Sequence, residues 1–249
     1  MYRFFAIAVL VFLLIPVRAT GDEDPKFQLD STWRERAQWY YRKGQMIESM
    51  RIHQKLLAKY PNNYWPYFCL AHCYRNLGLY DQAMQYFRQA KRWNPGVPDI
   101  DLRIAKCYEA EGIASLSQGD DAKAIEIFTK GVEARPDYWK NYHWIGCIHL
   151  YHAQYDQAIP WLIRARDTNP VHYYLPYANL GLCYLKLDQK DLAKEELEEA
   201  ERLNPASAST HFNLGLLYAR QGLWPKAWDE FHLAVTMGVS KDTYKPRTA

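Results

Sequence analysis

The chain has 249 residues, 49% of them hydrophobic and 24% charged, with a formal net charge of +3. That is ample apolar material for a packed fold, and too even a charge balance to indicate a nucleic-acid-binding surface. Beyond Val17 no apolar run is long enough to span a bilayer as a helix.

Residues 1–19 carry one early basic residue, Arg3, then the apolar run Phe4 to Val17, then Val17-Arg18-Ala19. That order is a basic n-region, an h-region and a small-residue cleavage site, so 1–19 read as a secretory signal peptide. The protein is expected to be exported, periplasmic or secreted after cleavage. A membrane would be met only through an uncleaved leader or a partner. Losing Arg3 and Arg18 takes 31 basic residues to 29, against 28 acidic ones, so no nucleic-acid partner is expected. Residues 20–29, with Asp22, Glu23 and Asp24, read as a short acidic linker.

From 30 to 241 one pattern recurs six times, with copies starting near Asp30, Tyr64, Ala105, Trp139, Tyr174 and Ala208, mostly 34 residues apart. The first copy is degenerate, with Trp33, Ala37, Tyr40, Gly44, Ser49, Leu56 and Pro61. The second reads Tyr67, Leu70, Ala71, Tyr74, Ala83, Phe87, Ala90, Pro95. A third, weaker one has Tyr108, Gly112, Gly119, Ala124, Phe128, Gly131 and Pro136. The fourth has Tyr142, Ile145, Gly146, Ala158, Leu162, Ala165 and Pro170. The fifth reads Leu180, Gly181, Tyr184, Ala193, Leu197, Ala200, Pro205, and the sixth Leu214, Gly215, Tyr218, Gly222, Ala227, Phe231, Ala234. Residues 242–249 form a tail.

A fixed period of this length means stacked helix pairs. With the small residue after Leu taken as position 8, positions 4, 7, 8 and 11 make one apolar stripe on the first helix of each pair. Ala or Gly at 8, 20 and 27 lets the paired helices approach closely. Gly44, Gly78, Gly119 and Gly222 stand where the first helix must turn. Asp81, Asp120, Asp156 and Asp191 suit the start of the second. The second and third copies start 41 residues apart. Seven extra residues are two turns, which predicts one lengthened helix from Pro98 to Gln118, with Pro98 in its first turn and Ile100 and Ile104 extending its apolar stripe.

These residues resemble the tetratricopeptide repeat family. The resemblance implies an all-α, right-handed α-solenoid of about six helix-turn-helix repeats that works by binding proteins, without enzymatic activity or a cofactor. It also implies that the stripe 2, 5, 9, 12, nearly opposite the packing stripe, lines a concave groove. That stripe holds Trp65, Phe68, His72 and Arg75, then Lys106, then Lys140 and His143, then Leu182, then Phe212. Position 6 adds Asn179 and Asn213, whose amides match a peptide unit in donor and acceptor. The groove suits an extended or helical partner segment with acidic and apolar side chains. The chaperone-tail clamp of the family is not expected, because the best window, Arg34, Gln38, Cys69, Lys106 and Ala110, departs from its pattern at most positions.

Other chemistry is sparse. No phosphate loop, Gly-x-Ser-x-Gly or His-Glu-x-x-His occurs. His143, Cys147, His149 and His152 are metal-ligand types, but the two pairs point in different directions and His149 occupies a core position, so no metal site is expected. Glu195, Glu196, Glu198 and Glu199 read as a solvated helix face with Lys194–Glu198 and Glu198–Arg202 pairs. Cys69, Cys73, Cys107, Cys147 and Cys183 are an odd set for an exported protein, and they read as small buried hydrophobes. In the last helix Trp228 and Val235 stand where a further repeat would dock. That face is expected to meet a second copy or a partner subunit. Assembly of an exported or envelope complex is the leading reading. A small-ligand or glycan receptor, suggested by 20 tyrosines and nine tryptophans, and an accessory subunit of an envelope enzyme or transporter are the alternatives.

Overall fold

The computed structural model describes residues 32–169 and 173–238. The leader, the acidic linker and the tail lie outside the described residues. Those described form twelve α-helices and no strand: α1 (Thr32–Arg42), α2 (Met46–Lys59), α3 (Tyr64–Asn76), α4 (Tyr80–Trp93), α5 (Ile100–Ser117), α6 (Asp121–Ala134), α7 (Trp139–Tyr151), α8 (Tyr155–Asp167), α9 (Leu175–Lys186), α10 (Lys190–Leu203), α11 (Ala208–Arg220) and α12 (Trp224–Thr236). Each helix packs chiefly on its chain neighbours. The odd-numbered helices also touch in series, α5 on α7, α7 on α9 and α9 on α11. The chain is thus an all-α helical repeat whose core runs along the stack.

The small positions make this possible. Ala37, Ala71, Ala83, Ala124, Ala158 and Ala193 are fully buried. A methyl group added at Gly181 would lie 2.5 Å from Leu197, and one at Gly146 would lie 2.6 Å from Leu162. The large partners Phe87, Phe128, Leu162 and Leu197 are fully buried in return, each contributing about 1.5–3 kcal/mol of transfer free energy.

All six helix pairs are joined by one turn. In each, a backbone N–H just past the odd helix returns to a carbonyl five residues back, as Gln45 to Tyr40, Leu79 to Tyr74 and Gln154 to His149. This motif needs one residue in the left-handed region. Gly44, Gly78, Gly119 and Gly222 supply it with φ between +74° and +79°. Repeats four and five use Ala153 (φ +57°) and Asp188 (φ +58°) instead. Of the four aspartates placed at the next helix, Asp120 caps α6 by accepting from the Lys123 N–H, whereas Asp81, Asp156 and Asp191 sit in first turns after Leu79, Gln154 and Gln189.

The lengthened helix differs from expectation at its start. It begins at Ile100, not Pro98. Asp99 is left-handed (φ +61°) and its carbonyl accepts the first helical bond, from Arg103, so Pro98 is held in the preceding turn. The helix still has 18 residues, and Ile100 and Ile104 do extend the core.

Two surface readings also change. Glu196 is 8% exposed and bonds Arg166, because α10 turns this edge onto the preceding α8. Arg202 pairs with Glu199 at 2.6 Å, not with Glu198, which Lys194 approaches at 3.7 Å. Cys73, Cys107 and Cys183 are fully buried, and all five cysteines are free thiols. No helix of the described residues is long and apolar enough to cross a membrane.

Candidate protein-binding groove

The groove stripe brings Trp65, Phe68 and His72 together on α3. Trp65 stacks on Phe68 with ring centroids 5.9 Å apart, and Phe68 meets His72 edge-on at 4.8 Å. Two arginines close the cluster. The Arg34 guanidinium lies 5.8 Å from the Trp65 ring, and that of Arg103 lies 4.8 Å from the Phe68 ring. Arg103 Nη1 sits 3.2 Å from His72 Nε2. Burial, then Arg103 and Arg75, lowers the His72 pKa to about 4. The ring is therefore neutral near pH 7 and accepts from Arg103. Arg75 is half-buried at the end of α3, and Lys106 is exposed on α5.

Cations dominate this half. Among the described residues none of Arg34, Arg75, Arg103 and Lys106 forms an ion pair. Midway the balance changes. Lys140 lies 3.5 Å from Glu109, which also accepts from the Tyr138 hydroxyl. Beside it Trp139 packs on Tyr173 at 5.6 Å.

Further along, the polar candidates turn inward. His143 is 7% exposed, and burial, helped by Lys140, lowers its pKa to about 4. Its Nε2 lies 3.4 Å from Cys147 Sγ, which also receives the Asn179 amide at 3.2 Å. Burial, then the nearby Cys183, pushes the Cys147 thiol up to about 12. A neutral imidazole beside a protonated thiol is not an activated nucleophile. The other two histidines turn away, His149 to Gln154 and His152 to Asp121. His149 is thus a half-buried polar contact and not a core residue.

Asn213 is buried to 7% and makes no hydrogen bond among the described residues, so the two position-6 amides differ: one is spent sideways on a thiol. Leu182 and Phe212 are half-buried, Phe212 with its ring 5.6 Å from Phe231. Leu185, one position along the stripe, is fully buried. At the far end Trp224, Trp228 and Val235 are 67%, 72% and 62% exposed on α12.

The repeat arithmetic does not reveal what the even helices add. α2 sends Ser49 and His53 toward the groove between α1 and α3, where they line a cavity of about 240 Å³. Near the C-terminal end the buried His211 has its Nδ1 2.7 Å from Glu230 and its Nε2 2.8 Å from the Pro205 carbonyl. Burial alone would lower this pKa. The Pro205 carbonyl, Glu230 and Glu201 outweigh it and hold the ring above the usual range. Glu201, His211 and Glu230 could each offer a ligand atom, all within 4.8 Å of one another. Their contacts are already those of a protonated imidazole between acceptors.

Models of the tetratricopeptide repeat match residues 54–85 and 176–207, on either side of the lengthened helix. The chain thus carries tetratricopeptide repeats in both halves of its helical stack. It is 29% identical over 172 residues to a member of the BBSome complex, BBS4 of Bos taurus, covering 69% of this chain and 31% of that protein. The TPR repeat-containing protein YpiA of Bacillus subtilis (strain 168) is 25% identical over 167 residues, covering 64% of this chain and 36% of its own length. This chain thus spans about a third of the length of these curated relatives. Among solved structures it is similar to YrrB, a TPR protein with an unusual peptide-binding site. That fold superposes with a TM-score of 0.53 at 18% identity, over 76% of this chain and 94% of the other. Tetratricopeptide repeat proteins generally mediate protein–protein contacts, so a protein partner is the general role of this fold.

Proposed function

We propose that this chain is a non-enzymatic scaffold that holds an extended or helical segment of a partner protein along its odd-helix face, as part of an exported or envelope assembly. The observation that carries this is the unneutralised charge of the N-terminal half. Arg34 and Arg103 lie over the Trp65–Phe68 stack, Arg75 stands near His72, and Lys106 is exposed on α5, none with an ion-pair partner among the described residues. An apolar stretch with Leu182 and Phe212 follows. A segment with acidic residues at one end and apolar ones at the other complements both halves. The half-buried Asn179 keeps its amide oxygen and its second N–H for the segment's backbone while the first goes to Cys147, and Asn213 offers the narrow exposed edge of its unbonded amide.

Peptides of that design, Asp- and Glu-rich before a Leu-rich half, test the reading by fluorescence anisotropy at low and high salt. The double variant Arg34→Glu, Lys106→Glu should weaken binding at least about tenfold at low salt and flatten its salt dependence. Asn179→Ala with Asn213→Ala should cost about 1 kcal/mol for each lost backbone bond. Affinity untouched by all four changes would remove the groove as the site.

A further inference from the structure

The cavity between α1, α2 and α3 has a wall chemistry that the groove stripe does not account for. Its volume is about 240 Å³. A cavity of roughly 150 Å³ holds benzene, and drug-sized ligands take roughly 300–1,000 Å³. The space therefore fits one ring with a small substituent. Trp65, Cys69 and His72 of α3 form one wall, Arg34, Gln38 and Tyr41 of α1 the outer rim, and Ser49 and His53 of α2 the inner end.

The inner end is polar and under-used. His53 is 4% exposed: its Nδ1 is sealed without a partner, so the ring meets the space through its Nε2 edge, and no described residue hydrogen-bonds the ring. Ser49 is fully buried behind it and accepts from the Cys73 thiol at 3.6 Å. A buried imidazole with no hydrogen bond needs a partner. No carboxylate lines the space. Burial holds His53 neutral, lowering its pKa to about 4. Burial, then Cys73, pushes Cys69 up to about 12 against the opposing effect of Arg34, so this group is an uncharged thiol.

These walls discriminate among occupants. A lysine or arginine would meet Arg34 at the rim. A carboxylate would pair with Arg34 at the rim and would give up that pairing and its hydration to reach the neutral inner end. An aliphatic side chain or a phenyl ring would leave His53 unpaired. A phenol offers a ring face to Trp65 and a hydroxyl that both donates and accepts at the inner end. We propose that this cavity receives one phenol ring, a tyrosine side chain of the bound partner segment. The tyrosine arm rests on the groove reading. The cavity itself can be tested without it.

The probes are p-cresol and its hydroxyl-free isostere toluene, titrated into the whole chain and followed through the His53 ring signals in nitrogen-labelled protein. Saturable p-cresol binding at least about tenfold tighter than toluene is expected, since a site built around a hydroxyl rejects the analogue lacking it. Cys69→Trp, which fills the space from a half-buried position, should abolish p-cresol binding with circular dichroism unchanged. His53→Phe should reduce the preference over toluene to near unity. Equal binding of the two probes, or p-cresol binding unchanged by Cys69→Trp, would overturn the proposal. Acidic peptides carrying one Tyr or one Phe then separate the two readings. If Arg34→Glu weakens both peptides alike and Cys69→Trp weakens neither, the groove stands and the tyrosine pocket falls. Selective p-cresol binding with no peptide binding leaves the pocket and removes the groove.

Discussion

Single residues set both the local cost and the pH response of this stack. Ala153 occupies the left-handed turn position at φ +57°, where four other copies have glycine. That conformation costs an L-residue about 1–2 kcal/mol, and glycine returns part of the gain through its freer unfolded chain. Ala153→Gly should therefore raise stability by about 0.5–1 kcal/mol, read as a higher urea midpoint at unchanged m. Asp188 tolerates the same region better, so Asp188→Gly should gain less. The histidines give a second expectation. His53, His72 and His143 are each lowered to about 4, chiefly by burial, whereas the unfolded chain titrates near 6.5. Between those values the unfolded state binds more protons, so the stability these rings contribute at pH 7 is lost as pH falls from about 6.5 to 4. The slope is up to about 1.4 kcal/mol per pH unit for each ring. His211, raised instead, acts oppositely: its contribution is full below about 6.5 and lost as pH rises through its folded value. The raised carboxyls of Glu111, Glu196 and Glu201 also work against the acid loss. Three rings outweigh them, so urea unfolding should show a less stable protein at pH 5 than at pH 7. Equal stability at both would mean the buried rings protonate in place.

At the scale of the helix, close approach decides what is allowed. Gly181 faces Leu197 so tightly that a methyl group has no room. Gly181→Ala should destabilise by about 1–3 kcal/mol through forced displacement of α10, measured by the same urea midpoint. The opposite situation holds on α12. Its inner residues Ala227 and Ala234 are buried at 1%, while Trp224, Trp228 and Val235 stand outward. In every earlier repeat the equivalent even helix is covered by the next odd one. We expect this face to join a second copy of the chain or a partner subunit. Sedimentation at micromolar concentration should find association in the wild type that Trp228→Glu abolishes, or partner capture that the same change weakens. A wild type that remains monomeric, with partner capture unchanged by Trp228→Glu, would rule the contact out.

At the scale of the whole molecule, packing confined to adjacent repeats makes stability a sum of local terms, and the odd helices from α5 to α11 touch in series. Export is a proposal about the whole chain, carried by the pattern Arg3, Phe4 to Val17, Ala19. Mass measurement of the native protein should find a start near Thr20, and a full-length chain in the cytosol would contradict it.

The period, the small positions and the turn glycines were legible in the sequence because they depend on residues within one repeat. Twelve helices follow from them, as does the extension of the core by Ile100 and Ile104. The start of α5 was not legible: a proline suits a first helical turn, but a left-handed Asp99 holds the chain in a turn until Ile100. Nor was the burial of Glu196, whose partner Arg166 lies one repeat earlier. The candidate groove divides the same way. Its stripe could be read from helical spacing. Which cations stay unpaired, which amide is spent on Cys147, and the arrival of Ser49 and His53 behind the α1–α3 seam all depend on how successive helix pairs lean on one another. Periodicity records which face a side chain leaves its own helix from, and only the packed stack decides what it meets.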